Sequence, residues 1–243
     1  MSNRATLAPP FLLPSYVLRQ SVNIALDQAA TNRLLYLHSP ADFGKIIAVG
    51  QWIGQKKLRC AWIPLTLYDA SPLVFCRYVL AALSALDEEL GESLDKILDD
   101  PSFDGAPLEY LFLGLSRISK SVQQAVIVFD DFHLIDNPMI LKAFPQIVKK
   151  LPEGLLCMVI SRIPPPVTFA DLLLKDEIGI VSENVLLFSQ NHIIKLFQNK
   201  GISLNYQEAN TLREQTSGWA LGLGAYLLAA QFQKDVPSLK AWM

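Results

Sequence analysis

The chain has 243 residues, 51% of them hydrophobic, with 21 basic against 23 acidic side chains. That apolar content excludes disorder as the main theme and suffices for one large core, or a core with a small appendage. The near-balance of charge excludes a general attraction to nucleic acid or to an anionic membrane, and no local basic patch stands out, so neither is expected as a partner.

Taken in chain order, residues 1–20 are Pro-rich and irregular, and Arg4 precedes only Phe11-Leu12-Leu13 between prolines, too short a run for a secretory hydrophobic segment. Helical spacing over 22–30 then predicts a short helix, completing an N-terminal segment 1–30. Residues 33–38 form an apolar run rich in strand formers, 39–44 a loop with Pro and Gly, and 45–55 a helix. A second strand at 60–65 leads into a long helical pattern over 72–90. The acidic, turn-rich stretch 95–105 is expected to be a surface loop, followed by a helix over 107–122. Residues 125–129 and 155–160 are buried-strand runs joined by a helix at 138–150.

Continuous apolar strands alternating with helices predict an α/β core, 31–188, built on a mostly parallel sheet with helices on both faces and ligands at the strands' carboxyl ends. The remainder, 189–243, is expected to be a small helical subdomain of three helices, punctuated by Ser189, Gly201, Ser203 and Ser217-Gly218. Its apolar stripe 219–230 is too short and too glycine-broken to span a bilayer and reads as helix core. The cysteines, Cys60, Cys76 and Cys157, are widely spaced and odd in number, as free thiols would be. A cytoplasmic protein is expected.

Chemistry concentrates after the strands. Ser39-Pro40-Ala41-Asp42-Phe43-Gly44-Lys45-Ile46 half-matches the phosphate-loop pattern Gly-x-x-x-x-Gly-Lys-Ser/Thr: Gly44 and Lys45 fit, Ser39 and Ile46 do not. In that pattern backbone amides surround the phosphates and the lysine reaches the terminal ones. Ile46 stands where a hydroxyl would ligate Mg²⁺, and Asp42 puts a carboxylate into the loop, where two unit charges ~5 Å apart at an effective dielectric of ~20 repel by roughly 3 kcal/mol. The plain alternative is an accidental Gly-Lys after a strand. Asp130-Asp131 ends the 125–129 run, where a P-loop protein keeps an acid for metal or water; helix capping is the competing explanation. Ser161-Arg162 follows the next strand, where an arginine can meet a terminal phosphate, or can simply be a surface residue before Pro164. His38, His133 and His192 share no metal-ligand spacing.

Together these segments resemble the ATP-dependent LuxR-type transcription regulators, the group of the maltose regulon activator within the signal-transduction ATPases with numerous domains. The resemblance is carried by 39–46 with Gln51-Trp52, by Asp130-Asp131-Phe132-His133-Leu134-Ile135, by Ser161-Arg162 and by Thr216-Ser217-Gly218-Trp219-Ala220, with Val17-Leu18-Arg19 similar to a segment near the adenine. It implies a P-loop NTPase-like core with a helical lid, and a switch in which ADP holds the resting state while ATP and an inducer permit oligomerisation. By this resemblance Arg19, Ser39, Pro40, Ala41, Asp42, Phe43, Gly44, Lys45 and Ile46 would contact nucleotide, Asp130 or Asp131 would face any metal, Arg162 would sense the terminal phosphate, and Asp130, Asp131 and Arg162 would form the catalytic set. The family has Gly at position 42 and Thr at 46, so ADP or ATP is expected to bind weakly, without an intact Mg²⁺ site and with impaired hydrolysis. The winged-helix, helical-repeat and DNA-binding parts of that family are not in this sequence. A protein partner or self-association is expected. The alternatives are an ATPase that uses Asp130 and Asp131 alone for metal, and a nucleotide-free interaction scaffold.

Overall fold

The computed structural model describes residues 9–86, 88–117 and 124–232. Five strands, β1 (Leu34–His38), β2 (Arg59–Pro64), β3 (Ala125–Asp130), β4 (Leu155–Ser161) and β5 (Ile178–Val181), form one sheet in the order β2-β3-β4-β1-β5. All neighbouring pairs are parallel, with His38 opposite Ser161 and Phe129 opposite Val159. The sheet places the ends of β1, β3 and β4 side by side, although β2 and its flanking helices lie between β1 and β3 in sequence.

Helices cover both faces because the central strands are apolar on both sides. On one face lie α1 (Gln20–Ala29) and α2 (Lys45–Lys56), whose Val22, Leu26, Val49, Trp52 and Ile53 pack on Leu35, Leu37, Val128 and Ile160. On the other lie α3 (Pro72–Ser84), α4 (Glu88–Leu98), α5 (Pro107–Arg117), α6 (Pro138–Lys150) and the short α7 (Ala170–Leu174). The step from β1 to β2 runs one way across the sheet with its helix on the first face. The later steps run the other way with helices on the second, as right-handed crossovers require. The direction reverses at β1, which puts the loop after β1 at the sheet's switch point.

Several boundaries differ from those expected. The 72–90 helix is two helices, α3 and α4, folded against each other; a Cβ on Gly91 would sit 3.3 Å from the Ser84 carbonyl oxygen, so the glycine permits the close approach. The 95–105 stretch is not simply a surface loop. α4 runs to Leu98, and Phe103 is fully buried beneath Arg77, which also pairs with Asp104 at 2.7 Å. α5 ends at Arg117 within the described residues; the expected continuation over 118–122, like the N-terminal residues around Arg4 and the last part of 189–243, lies outside them. β5 is an unforeseen strand.

After the short α8 (Glu183–Leu186) come α9 (Gln190–Gln198), α10 (Tyr206–Thr216) and α11 (Ala220–Phe232), the three expected helices, around Ile193, Phe197, Leu212 and Leu223. Ser189 caps α9 and Asn205, not Ser203, caps α10, each in a reciprocal box with His192 and Glu208. The N-terminal arm crosses both parts. Leu12 packs over Gly50 of α2, Ser15 O accepts from Asn199 of α9 at 3.0 Å, and Val17 is buried in the subdomain's core. No helix among the described residues is long and apolar enough to cross a membrane.

The α1–β5 contact is tight enough to test. A Cβ on Gly179 would lie 2.4 Å from Ala29 O, backbone that only a shift of α1 could move, whereas one on Gly224 of α11 meets nothing within 4 Å. Gly179→Ala is expected to cost about 1–3 kcal/mol, a fall in Tm of roughly 3–10 °C. Gly224→Ala is expected to raise Tm slightly, both read by thermal unfolding.

Candidate functional site

The Ser39 amide still donates to Ser161 O at 3.3 Å, so the chain leaves β1 with its path fixed against β4. It then turns through two left-handed residues, Asp42 (φ 63°) and Gly44 (φ 75°), before α2 begins at Lys45. Aspartate tolerates this region and glycine occupies it freely. Four of the loop's carbonyl oxygens are held by side-chain donors from three parts of the chain. Lys45 Nζ donates to Ser39 O and Pro40 O, each at 2.7 Å, and to Ser39 Oγ at 3.2 Å. Trp219 Nε1 donates to Ala41 O at 3.4 Å, and Arg19 Nη2 to Gly44 O at 3.2 Å.

The amides behave oppositely. Those of residues 41–47 donate to no protein acceptor among the described residues, and the last of them are the orphan donors of α2's first turn. A run of unengaged N–H groups at a helix start is what an anion requires. Lys45, however, is 7% exposed and its ammonium folds back onto the loop's own oxygens. Burial pulls its pKa down, countered in part by the charge of Asp131, with Arg162, Asp130 and Asp42 also within electrostatic reach.

Asp130 and Asp131 lie in sequence between Phe129 and Phe132, whose rings cluster with that of Phe144 at centroid distances of 4.6–6.4 Å. Asp130 is buried, and its carboxylate accepts from Trp62 Nε1 at 3.3 Å and from the Asp131 amide at 2.9 Å. Burial, then the neighbouring Asp131 charge, push its pKa up to about 6. Asp131 takes φ 54°, which turns its side chain outward, 3.7 Å from both Arg162 Nε and His133 Nδ1. That His133 nitrogen is buried and has no hydrogen-bond partner, and burial lowers the ring's pKa.

The fold thus gathers the loop 39–46, Asp130, Asp131 and Arg162 at one edge of the sheet. Arg19 lies at the loop's far end, buried, its guanidinium on Gly44 O and Leu186 O and 4.7 Å above the Phe188 ring. Burial lowers its pKa to about 10. Three contributors escaped the sequence reading. Trp62 is hidden in an apolar strand pattern, His133 has no spacing partner, and Trp219 belongs to a stripe that reads as helix core. Only the Gly-Trp at a helix start offered a signal, since Gly218 (φ 73°) sets Trp219 toward the loop.

Ile46, at the start of α2, has no oxygen to offer a metal, and no group of three or more His, Cys, Asp or Glu that could hold one stands together among the described residues. Two clefts lie away from this loop, one of about 360 Å³ at the amino ends of β1 and β4 around Arg33 and one of about 450 Å³ along the edge strand β5.

No family model matches the chain. It is 29% identical over 227 residues to the "HTH-type transcriptional regulator MalT" of Serratia proteamaculans, and 27% identical over 229 residues to the regulator of the same name in Vibrio cholerae. Each match covers 93% of this chain but 25% of the relative, so the chain spans about a quarter of the length of these curated proteins. Among solved structures it is similar to a signal transduction ATPase with numerous domains carrying a tetratricopeptide repeat sensor, from Pyrococcus horikoshii. There the TM-score is 0.59 and the identity 16%, over 93% of this chain and 32% of that one. The likeness to these regulators therefore extends over nearly the whole chain, and the fold is similar to that of the signal transduction ATPase.

The Asp130 environment gives a pH signature. Its pKa is higher folded than unfolded, so the ionised carboxylate penalises the native state fully above about 6, and the penalty fades as pH falls toward the unfolded value. Asp130→Asn lacks that penalty. The stability of the variant relative to wild type is expected to rise by on the order of 2–3 kcal/mol between pH 4 and pH 7.5, measured by denaturant unfolding at each pH.

Proposed function

We propose that this chain is the regulatory nucleotide-binding domain of a cytoplasmic transcription regulator, holding a nucleoside diphosphate weakly and hydrolysing triphosphate little or not at all. The observation that carries this is the loop after β1, with its carbonyls held by side chains and its amides 41–47 left open. In this reading those amides cradle the phosphates and Lys45 exchanges its bonds to Ser39 O and Pro40 O for bonds to the anion. Arg162, exposed and only 3.7 Å from Asp131, is free to swing to a terminal phosphate. Asp131, outward-facing, is the better placed carboxylate for a phosphate-borne metal; Asp130 is tied to Trp62 and its own neighbour's amide.

Weak binding follows from the same geometry, because an exchange of one hydrogen bond for another returns less than the formation of a new one. Hydrolysis lacks support at two positions, Ile46 for the metal and Asp42 for the phosphate charge. Partners, by the same resemblance, are other protein chains or further copies of this one. The complete satisfaction of Lys45 by the loop's own oxygens favours one second reading, a nucleotide-free scaffold.

Titration calorimetry separates these. ADP is expected to bind without magnesium, and Lys45→Ala to weaken it roughly 10- to 100-fold, the loss of a charge-assisted contact. Absence of heat with ADP and ATP, with or without Mg²⁺, would establish the scaffold; phosphate release that disappears in Lys45→Ala would establish an ATPase. Ile46→Thr combined with Asp42→Gly is expected to strengthen Mg-ATP binding at least about tenfold more than metal-free ADP binding. Equal gains for both ligands would contradict the account of the loop.

A further inference from the structure

The helical subdomain donates a hydrogen bond to the loop after β1 from one side chain among the described residues. The turn after α10 runs through two left-handed residues, Ser217 (φ 52°) and Gly218 (φ 73°). A Cβ on Gly218 would be 2.7 Å from Phe188 O, so only glycine lets this turn lie against the chain entering the subdomain; the Phe188 amide closes the contact on Gly218 O at 2.9 Å. The next residue is Trp219. Its indole N–H donates to Ala41 O at 3.4 Å, its ring lies 6.3 Å from that of Phe43, and its own carbonyl accepts from Leu223 of α11 at 3.0 Å.

From this we infer that Trp219 is a positioning residue of the anion loop: by holding the Ala41 carbonyl outward it keeps the loop's amides presented, and it ties that arrangement to the seat of the helical subdomain. The inference rests on the reading of the loop as a diphosphate site. Lys45 and Arg19 hold the loop's other carbonyls from inside the core and from the start of α1, so Trp219 is the loop donor contributed by the subdomain among the described residues. A contact that belongs to both parts makes their conformations one equilibrium: whatever orders the loop stabilises the seat of α11, and by reciprocity a displaced α11 leaves the loop less ready for an anion.

The test uses the whole chain in solution, with ¹⁵N-labelled tryptophan indoles and backbone amides. Trp219→Phe keeps a ring beside Phe43 and removes the N–H, and it identifies the Trp219 indole signal by its disappearance. Without any nucleotide, Phe43→Ala is expected to shift that signal and to speed hydrogen exchange at the Phe188 and Leu223 amides, while the Trp52 indole, bonded to Asp27 at 2.8 Å, stays in place. An unmoved Trp219 signal with unchanged exchange at both amides would overturn the inference. With ADP, Trp219→Phe is expected to weaken binding about threefold to tenfold at nearly unchanged Tm, the worth of one hydrogen bond that orders the loop. A loss of Tm with unchanged ADP affinity would mean a structural role alone and would also overturn it. Absence of ADP binding to the wild type would defeat the diphosphate reading, and the nucleotide-free measurements would then decide whether Trp219 couples loop and subdomain.

Discussion

The arrangement of this molecule depends on which way the peptide groups of the loop after β1 face. Each carbonyl that a donor holds turns its peptide plane, and the amide on the other side of that plane is committed to the opposite direction. Lys45, Trp219 and Arg19 hold the carbonyls of Ser39, Pro40, Ala41 and Gly44, and the amides of 41–47 are left without protein acceptors among the described residues. The left-handed turns at Asp42 and Gly44 make this possible within a few residues. The direction of these amides is thus set in part by side chains, Arg19 and Trp219, that lie outside the loop.

Those donors come from three places in the chain, and this explains the architecture around the loop. Arg19 sits just before α1 and is buried against Leu186 O and the Phe188 ring, so the arm, the core and the entry to the helical subdomain meet at one guanidinium. Burying a cation without a carboxylate partner is costly, and its lowered pKa records that cost. Two carbonyl dipoles and an aromatic face are its compensation here. The same logic governs Asp130, which is buried with the Trp62 indole and the Asp131 amide to satisfy it. Both groups hold geometry at the expense of easy ionisation.

Much of this was legible in the residues. The helix expected near 138–150 is α6, whose start is fixed by the Asn137 cap and by Pro138 at its first position. The loop and Asp130-Asp131 were found because strand runs end there, and parallel topology brings strand ends together. What periodicity could not supply was the break between α3 and α4, since an amphipathic pattern continues in phase through a helical hairpin. Phe103 was read with its acidic neighbours although Arg77 covers its ring. β5 is four residues long and contains a glycine, too little for a strand signal. Trp62 and Trp219 were read as apolar bulk; in each the indole nitrogen, a single polar atom, decides the role, and only the three-dimensional contact reveals its acceptor.

The charges at this edge bear on what the site can do. Lys45 lies within electrostatic reach of Asp131, Asp130 and Asp42, and Arg162 is 3.7 Å from Asp131, so on the proposed reading an arriving anion meets these two cations already balanced by carboxylates. Its gain comes from the open amides, and from whatever rearrangement frees Lys45 and Arg162 from their present acceptors. A site of this kind returns little affinity for a ligand and a large share of its binding free energy as conformational change. A catalyst needs the opposite, donors fixed in place before the substrate arrives. On the proposed reading Ile46, in place of a metal-ligating hydroxyl, is a smaller departure, because a device whose output is the position of a helix bundle would have no need of the step that the metal assists.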